Sequence, residues 1–104
     1  VVCGHSLGGA LAQTCAYDLI QSSEAVREVG VTLIPVASPP AFSLGFQRKL
    51  NSLRHEGLLR MLHLTAVGDF VPKRLSGPFR GKLVHGVTQR LVLSSRDAAR
   101  PVYY

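Results

Sequence analysis

Residues 1–12 read VVCGHSLGGALA, and this stretch decides the fold. Small apolar residues at positions 1–3, two of them β-branched, are typical of the end of a buried strand. The glycine, histidine and serine at positions 4–6 then predict a turn, and two further glycines lead into an alanine-rich segment with helical spacing. A strand, a sharp turn and a helix therefore follow one another within a dozen residues.

The rest of the chain alternates between strand and helix patterns. A mostly buried helix is predicted from residue 7 to about 21. Its apolar positions recur every four residues at Leu7, Leu11, Cys15 and Leu19, and Ala12, Ala16 and Ile20 cover a neighbouring face. The other predicted elements are buried strands at 31–37 and 59–67, a helix from about 46 to 57, a last strand at 83–93, and a turn-like tail at 94–104. This alternation predicts an α/β fold with a mostly parallel sheet and helices packed on it.

Composition and charge exclude several classes of protein. The chain has 104 residues, 46% of them hydrophobic, which allows one globular domain. The formal charge is +6, but the cations are spread along the chain without interleaved aromatic residues, so we predict no nucleic-acid partner. Cys3 and Cys15 lack a metal-binding or CxxC spacing and are predicted to be small buried residues.

The pattern Gly4-His5-Ser6-Leu7-Gly8 matches G-x-S-x-G, in which a nucleophilic serine occupies a strained turn between a strand and a helix. We expect Gly4 and Gly8 to avoid collisions in the turn, and the next glycine to let the helix lie close to the sheet. The alternative is that Ser6 only caps the helix. As a nucleophile, Ser6 would be served by the backbone N–H of Leu7, an oxyanion donor worth about 3–4 kcal/mol, while the Leu7 side chain would pack.

A nucleophilic serine also requires a base and an acid that orients the base. Asp69 is the leading acid because it follows a predicted buried strand, although a simple turn residue would look the same. Among the histidines, His5 and His63 are predicted to be structural, and His55 lies on the polar side of a helix. Only His85 follows Asp69, which makes it the candidate base within the chain.

Four stretches resemble one known family. The segments GHSLGGALA (4–12), VASPPAFSLGFQRKL (36–50), AVGDFVPKRL (66–75) and LVHGVTQRLVL (83–93) are similar to motifs of the class 3, fungal-type lipases, which are α/β hydrolases. The resemblance implies that Ser6 is the nucleophile, that Leu7 supplies an oxyanion-hole amide and that Asp69 is the triad acid. It also implies that His85 is a strand histidine, and that the base lies in a later loop beyond Tyr104.

We therefore expect residues 1–104 to form a partial α/β-hydrolase domain, truncated at both ends and inactive in isolation. The function that the resemblance implies is hydrolysis of acyl-lipid esters such as triacylglycerols or other glycerolipids, with no metal and no cofactor. A peripheral membrane or lipid-droplet interface would then be a possible partner. Acyl transfer to an alcohol, or a non-catalytic role in binding lipid or a partner protein, are the alternatives.

Overall fold

The computed structural model of the chain describes residues 1–69, 71 and 83–93 and the backbone of residues 102–103. Its elements are β1 (Val2–His5), α1 (Leu7–Ser22), α2 (Glu24–Val29), β2 (Val31–Val36), α3 (Leu44–His55), β3 (Leu59–Met61), β4 (His63–Ala66), β5 (Arg90–Leu93) and β6 (Val102–Tyr103). The described strands form one sheet in the order β1-β2-β4-β5-β6, with β3 also paired to β2. All pairs are parallel except β5 with β6, so the predicted α/β fold with a mostly parallel sheet is confirmed.

Helix α1 packs on β1 and β2 through its small residues. Its buried positions include Gly9, Ala12, Ala16 and Ile20, whereas the leucines at 7, 11 and 19 are exposed. The predicted burial is therefore confirmed for Ala12, Ala16 and Ile20 and wrong for the leucines. Small residues let the helix axis lie close to the sheet, and the burial of Ile20 near the end of the helix contributes about 2 kcal/mol.

The core lies between this helix and one face of the sheet. Alternate residues of β2, Val31, Leu33 and Pro35, point into it, as the period of two in a strand requires. Leu50 and Leu53 of α3 belong to the same core cluster. Helices α1 and α3 and the sheet therefore contribute to one core cluster.

Serine caps define where two helices begin. The Ser43 hydroxyl accepts a hydrogen bond from the Phe46 N–H at 3.2 Å, so α3 begins at Leu44. The Ser23 hydroxyl accepts from the Val26 N–H at 3.3 Å and starts α2, which the sequence pattern did not predict. Helix α2 has six residues and none of them is buried, so it leaves no hydrophobic periodicity to detect.

The last predicted strands differ from the structure. The expected strand at 59–67 is two strands, because β3 pairs with the first half of β2 and β4 pairs with β2 only at Val36 before running beside β5. The expected strand at 83–93 is regular only over β5. The predicted turn-like tail contains β6. The other residues of the tail lie outside the described part of the chain, as do residue 70 and residues 72–82, for which the sequence pattern predicts a loop.

Both cysteines are exposed, so the prediction that they are buried is wrong. Side chains along β1 point alternately to the two faces of the sheet, and Val2 and Gly4 are on the face that packs on α1. Cys3 therefore lies on the opposite, exposed face. Cys15 lies on the outer side of α1. In the described ranges, no helix is long and apolar enough to cross a membrane.

Candidate active site

Ser6 occupies a strained turn between β1 and α1. Its backbone has φ 54° and ψ −124°, a positive φ that costs a serine on the order of 1–3 kcal/mol. Its N–H donates to the Val36 carbonyl at 2.9 Å and its carbonyl accepts from the Gly9 N–H at 2.9 Å. The Ser6 hydroxyl makes no capping hydrogen bond. Helix capping therefore does not account for this serine, and its side chain is not committed to the helix.

Two glycines permit this turn. A Cβ placed on Gly4 would collide with the backbone carbonyl of Gly8, and one on Gly9 would lie 2.9 Å from the Ser38 Cβ and 3.0 Å from the Gly4 oxygen. A Cβ on Gly8 would meet nothing within 4 Å, so the expected steric role of Gly8 is wrong. The close approaches in this turn are thus made at Gly4 and Gly9.

Leu7 is the first residue of α1, so its N–H has no partner inside the helix. The amide lies directly after Ser6 at the positive end of the helix dipole, which suits a developing negative charge. The Leu7 side chain is 66% exposed, so the prediction that it packs is wrong. What this residue offers the site is its backbone.

Asp69 lies in the turn that follows β4, at the same edge of the sheet as Ser6. His5, Val36 and Leu64 are level with one another across β1, β2 and β4. Because β2 separates the two outer strands, β1 and β4 lie about 9–10 Å apart. Ser6 and Asp69 thus follow strands that are separated by one strand at this edge of the sheet.

The Asp69 carboxylate is held by its own turn. Its Oδ1 accepts from the Val71 N–H at 3.0 Å, and its N–H donates to the Ala66 carbonyl at 3.2 Å. Gly68 supplies the positive φ of 87° that this turn needs. A role in holding the turn and a role as the triad acid are therefore compatible for Asp69, because one carboxylate oxygen is left out of the turn hydrogen bond.

A buried polar network lies behind the Ser6 turn. Gln13 is fully buried, and its Nε2 donates to the Gly9 carbonyl at 3.1 Å and to the Ser38 hydroxyl at 3.0 Å. The Ser38 N–H in turn donates to Nε2 of His63 at 3.0 Å. Burial, followed by the charges of His85 and Arg90, lowers the pKa of His63 to about 4. His63 is therefore neutral at physiological pH and acts as a structural acceptor.

His85 packs beside this network. Its ring centroid lies 5.1 Å from that of His63, and its carbonyl accepts from Nε2 of Gln47 at 2.7 Å. It precedes β5 in the chain, and its neighbour His63 directly precedes Leu64, the residue level with the end of β1. The contacts described for His85 are thus with the interior of the domain, and its assignment as a base stays a prediction.

The other histidines are peripheral. His5 is exposed at the end of β1, and His55 is exposed at the end of α3. Over the described residues, no three His, Cys, Asp or Glu side chains are grouped so that they could hold a metal ion. Sequence reasoning missed Gln13 and Ser38, and the one available signal was a glutamine among the small residues of a helix predicted to be buried.

Comparison with known proteins agrees with this geometry at the level of the family. The model of the family described as Lipase (class 3) matches residues 1–77, and the chain belongs to that family. The chain is 31% identical over 105 residues to Phospholipase A1-II 6 of Oryza sativa subsp. japonica, covering 93% of this chain and 24% of the relative. It is 36% identical over 88 residues to Phospholipase A1-II 5 of the same organism, covering 74% of this chain and 17% of the relative. No solved structure gives a significant match to the chain.

Proposed function

We propose that the protein hydrolyses carboxylic ester bonds of acyl lipids, with Ser6 as the nucleophile. The observation that carries the proposal is the backbone of Ser6, which has a positive φ between a strand and a helix while its hydroxyl is free of capping. A strained turn that does not serve the helix is expected where a side chain must be presented to a substrate.

In this mechanism the Ser6 Oγ attacks the acyl carbonyl and gives its proton to a base. The Leu7 N–H donates to the resulting oxyanion, and the tetrahedral intermediate collapses as the alcohol leaves with the proton. Water then attacks the acyl-serine ester, which releases the fatty acid and regenerates the free serine. Asp69 would orient the base and stabilise its protonated form.

The base is the least constrained member of the triad. We propose that it is a histidine outside residues 1–104, because the chain spans 24% of the length of one curated relative and 17% of the other. Replacing His85 by Gln should then leave activity within about tenfold of the wild type, whereas loss of a triad base costs at least about 10⁴-fold.

For the substrate we propose glycerolipids, with glycerophospholipids placed first. Both relatives are named as phospholipases A1, which favours an acyl ester of a phospholipid over other esters. Acyl transfer uses the same acyl-serine intermediate with an alcohol in place of water. The two reactions are distinguished by whether added alcohol is converted to ester.

The test is lipid hydrolysis by the natural protein at its full length, carrying Ser6→Ala. We expect activity on phospholipid and triacylglycerol vesicles to fall by about 10⁴- to 10⁶-fold, because the acyl-serine ester cannot form. Asp69→Asn should cost about 10⁴-fold. The matched control is Ser43→Ala, which removes an exposed serine at a helix cap and should leave kcat unchanged. Full activity of the Ser6 variant would refute the catalytic proposal and favour a non-catalytic lipid-binding role.

A further inference from the structure

Gln13 joins three segments that are far apart in the sequence. Its amide nitrogen donates to the Gly9 carbonyl in the same helix and to the Ser38 hydroxyl in the turn after β2. Its carbonyl oxygen accepts from the Val87 N–H at 3.2 Å, ahead of β5. All of these hydrogen bonds are buried.

A buried amide in this position calls for a specific reason. The buried positions around it on the same helix are Gly9, Ala10, Ala12 and Ala16, and another small residue would pack there without any polar group to desolvate. Instead, both N–H groups and the oxygen of the Gln13 amide are satisfied. Such a fully paired group defines one arrangement of the segments that it joins more strictly than apolar packing does.

The segments joined by Gln13 are those that hold Ser6. The Ser6 N–H is bonded to Val36, two residues before Ser38, and the Ser6 carbonyl is bonded to the Gly9 N–H. Gly9 also lies against Ser38, where a Cβ would come within 2.9 Å of the Ser38 Cβ. The start of α1 and the turn after β2 therefore enclose Ser6. Gln13 lies one helical turn beyond Gly9 and forms hydrogen bonds to both of these segments.

The third contact limits movement of the amide itself. A Cβ on Gly86 would collide with the Gln13 Oε1 and would lie 2.8 Å from the Leu50 Cδ1. The backbone of residues 86 and 87 is therefore packed directly on the amide, which leaves Gln13 little room to change rotamer.

We propose that Gln13 is a positioning residue for the nucleophile: it fixes the start of α1 against the turn after β2, and so sets the direction in which Ser6 and the Leu7 amide face the substrate. The inference rests on the proposed function, since it assigns a cause to the geometry of the same site. Gln13 does not touch the substrate or the reacting atoms.

The test compares Gln13→Met with Ile20→Ala in the natural full-length protein. Methionine keeps the length of the side chain and removes all three hydrogen bonds, while Ile20→Ala destabilises the same helix at its far end. Per folded molecule, we expect Gln13→Met to lower kcat by about 10- to 100-fold with KM within about threefold, since small displacements of a nucleophile are costly. Ile20→Ala should leave both constants unchanged. Equal kcat values for the two variants would overturn the inference.

Further variants keep the test informative if Gln13→Met does not fold. Ser38→Ala removes one acceptor of the Gln13 amide and should lower kcat in the same direction by about 3- to 10-fold, a smaller loss than that of the methionine variant. Exposed Gln21→Met, on the same helix, is the neutral control. Unchanged kcat in Ser38→Ala would refute the inference.

The Ser6→Ala variant separates this inference from the proposed function. If that variant keeps full activity, the catalytic proposal fails and the positioning role fails with it. If it is inactive while Gln13→Met has wild-type kcat, only the positioning role fails.

Discussion

The turns that carry Ser6 and Asp69 follow two strands at the same sheet edge, yet they are held in different ways. The Ser6 turn is enclosed by tertiary packing, because the Gly4 and Gly9 backbones have no room for a side chain. The Asp69 turn is held by its own hydrogen bond to the Val71 N–H, and a Cβ on Gly68 would meet nothing within 4 Å. The proposed nucleophile is therefore fixed by the fold, and the Asp69 carboxylate by its local sequence.

This difference matches the demands of the two proposed roles. A nucleophile must approach a carbonyl carbon along a narrow path, and misplacement of about 1 Å can cost 10²-fold in rate. A carboxylate that orients a base acts through hydrogen bonding and tolerates a wider range of positions. The strictest packing is thus found where the proposed chemistry is most sensitive to geometry.

The largest predicted effect on stability is that of Gly4→Ala. The added methyl would overlap the Gly8 carbonyl, so we expect the free energy of unfolding to fall by at least about 3 kcal/mol. Gly68→Ala meets no atoms and should cost about 1–2 kcal/mol through its positive φ alone. Urea denaturation of both variants measures the difference directly.

Gly8→Ala is the matched control for the Ser6 turn. It belongs to the same motif, but a Cβ there is unobstructed, so the free energy of unfolding should stay the same or rise by up to about 1 kcal/mol through helix propensity. A loss at Gly8 as large as that at Gly4 would show that the enclosing contacts have been wrongly placed.

The second prediction concerns His63, which joins the two regions because it begins β4 and holds the Ser38 backbone beside Ser6. Its pKa in the folded state is about 4, below the unfolded value of 6.5, so the unfolded chain binds the proton more readily. Stability should therefore fall as the pH drops from about 6.5 to 4, by on the order of 2–3 kcal/mol, and this contribution should level off below pH 4.

Urea denaturation across this pH range tests the assignment. His63→Gln retains an oxygen that can accept from the Ser38 N–H and should remove this part of the pH dependence. His55→Gln, at an exposed position on α3, should leave the pH dependence as it is in the wild type. An unchanged slope in the His63 variant would mean that another group titrates.

The contrast between the two regions also explains what the sequence could predict. The strand, turn and helix around Ser6 were predictable because the requirement for small residues is local and appears as adjacent glycines. The role of Gln13 was not, because its partners Ser38 and Val87 lie 25 and 74 positions away in the chain. The burial of the α1 leucines was wrongly predicted for a related reason. Leucines repeat every four residues, but the close approach of the sheet selects the small residues instead.

The parallel sheet and most of its strands followed from apolar runs between turn residues, since such runs need burial on both faces. The split at Leu62 did not, because it depends on which neighbour each half pairs with. The Leu62 N–H donates to the Leu33 carbonyl at 3.1 Å, so the chain between β3 and β4 stays bonded to β2. The apolar run in the sequence therefore gives no sign that the strand is divided there.

The central claim is that the strained turn presents Ser6 as a nucleophile. The most direct measurement is reaction of the natural full-length protein with a fluorophosphonate, followed by mass spectrometry of the peptides. We expect the Ser6 Oγ to displace fluoride and carry the phosphonyl group, and we expect labelling to be lost in Ser6→Ala but kept in Ser43→Ala. Labelling of a different serine, or none in a folded protein that hydrolyses lipid esters, would contradict it.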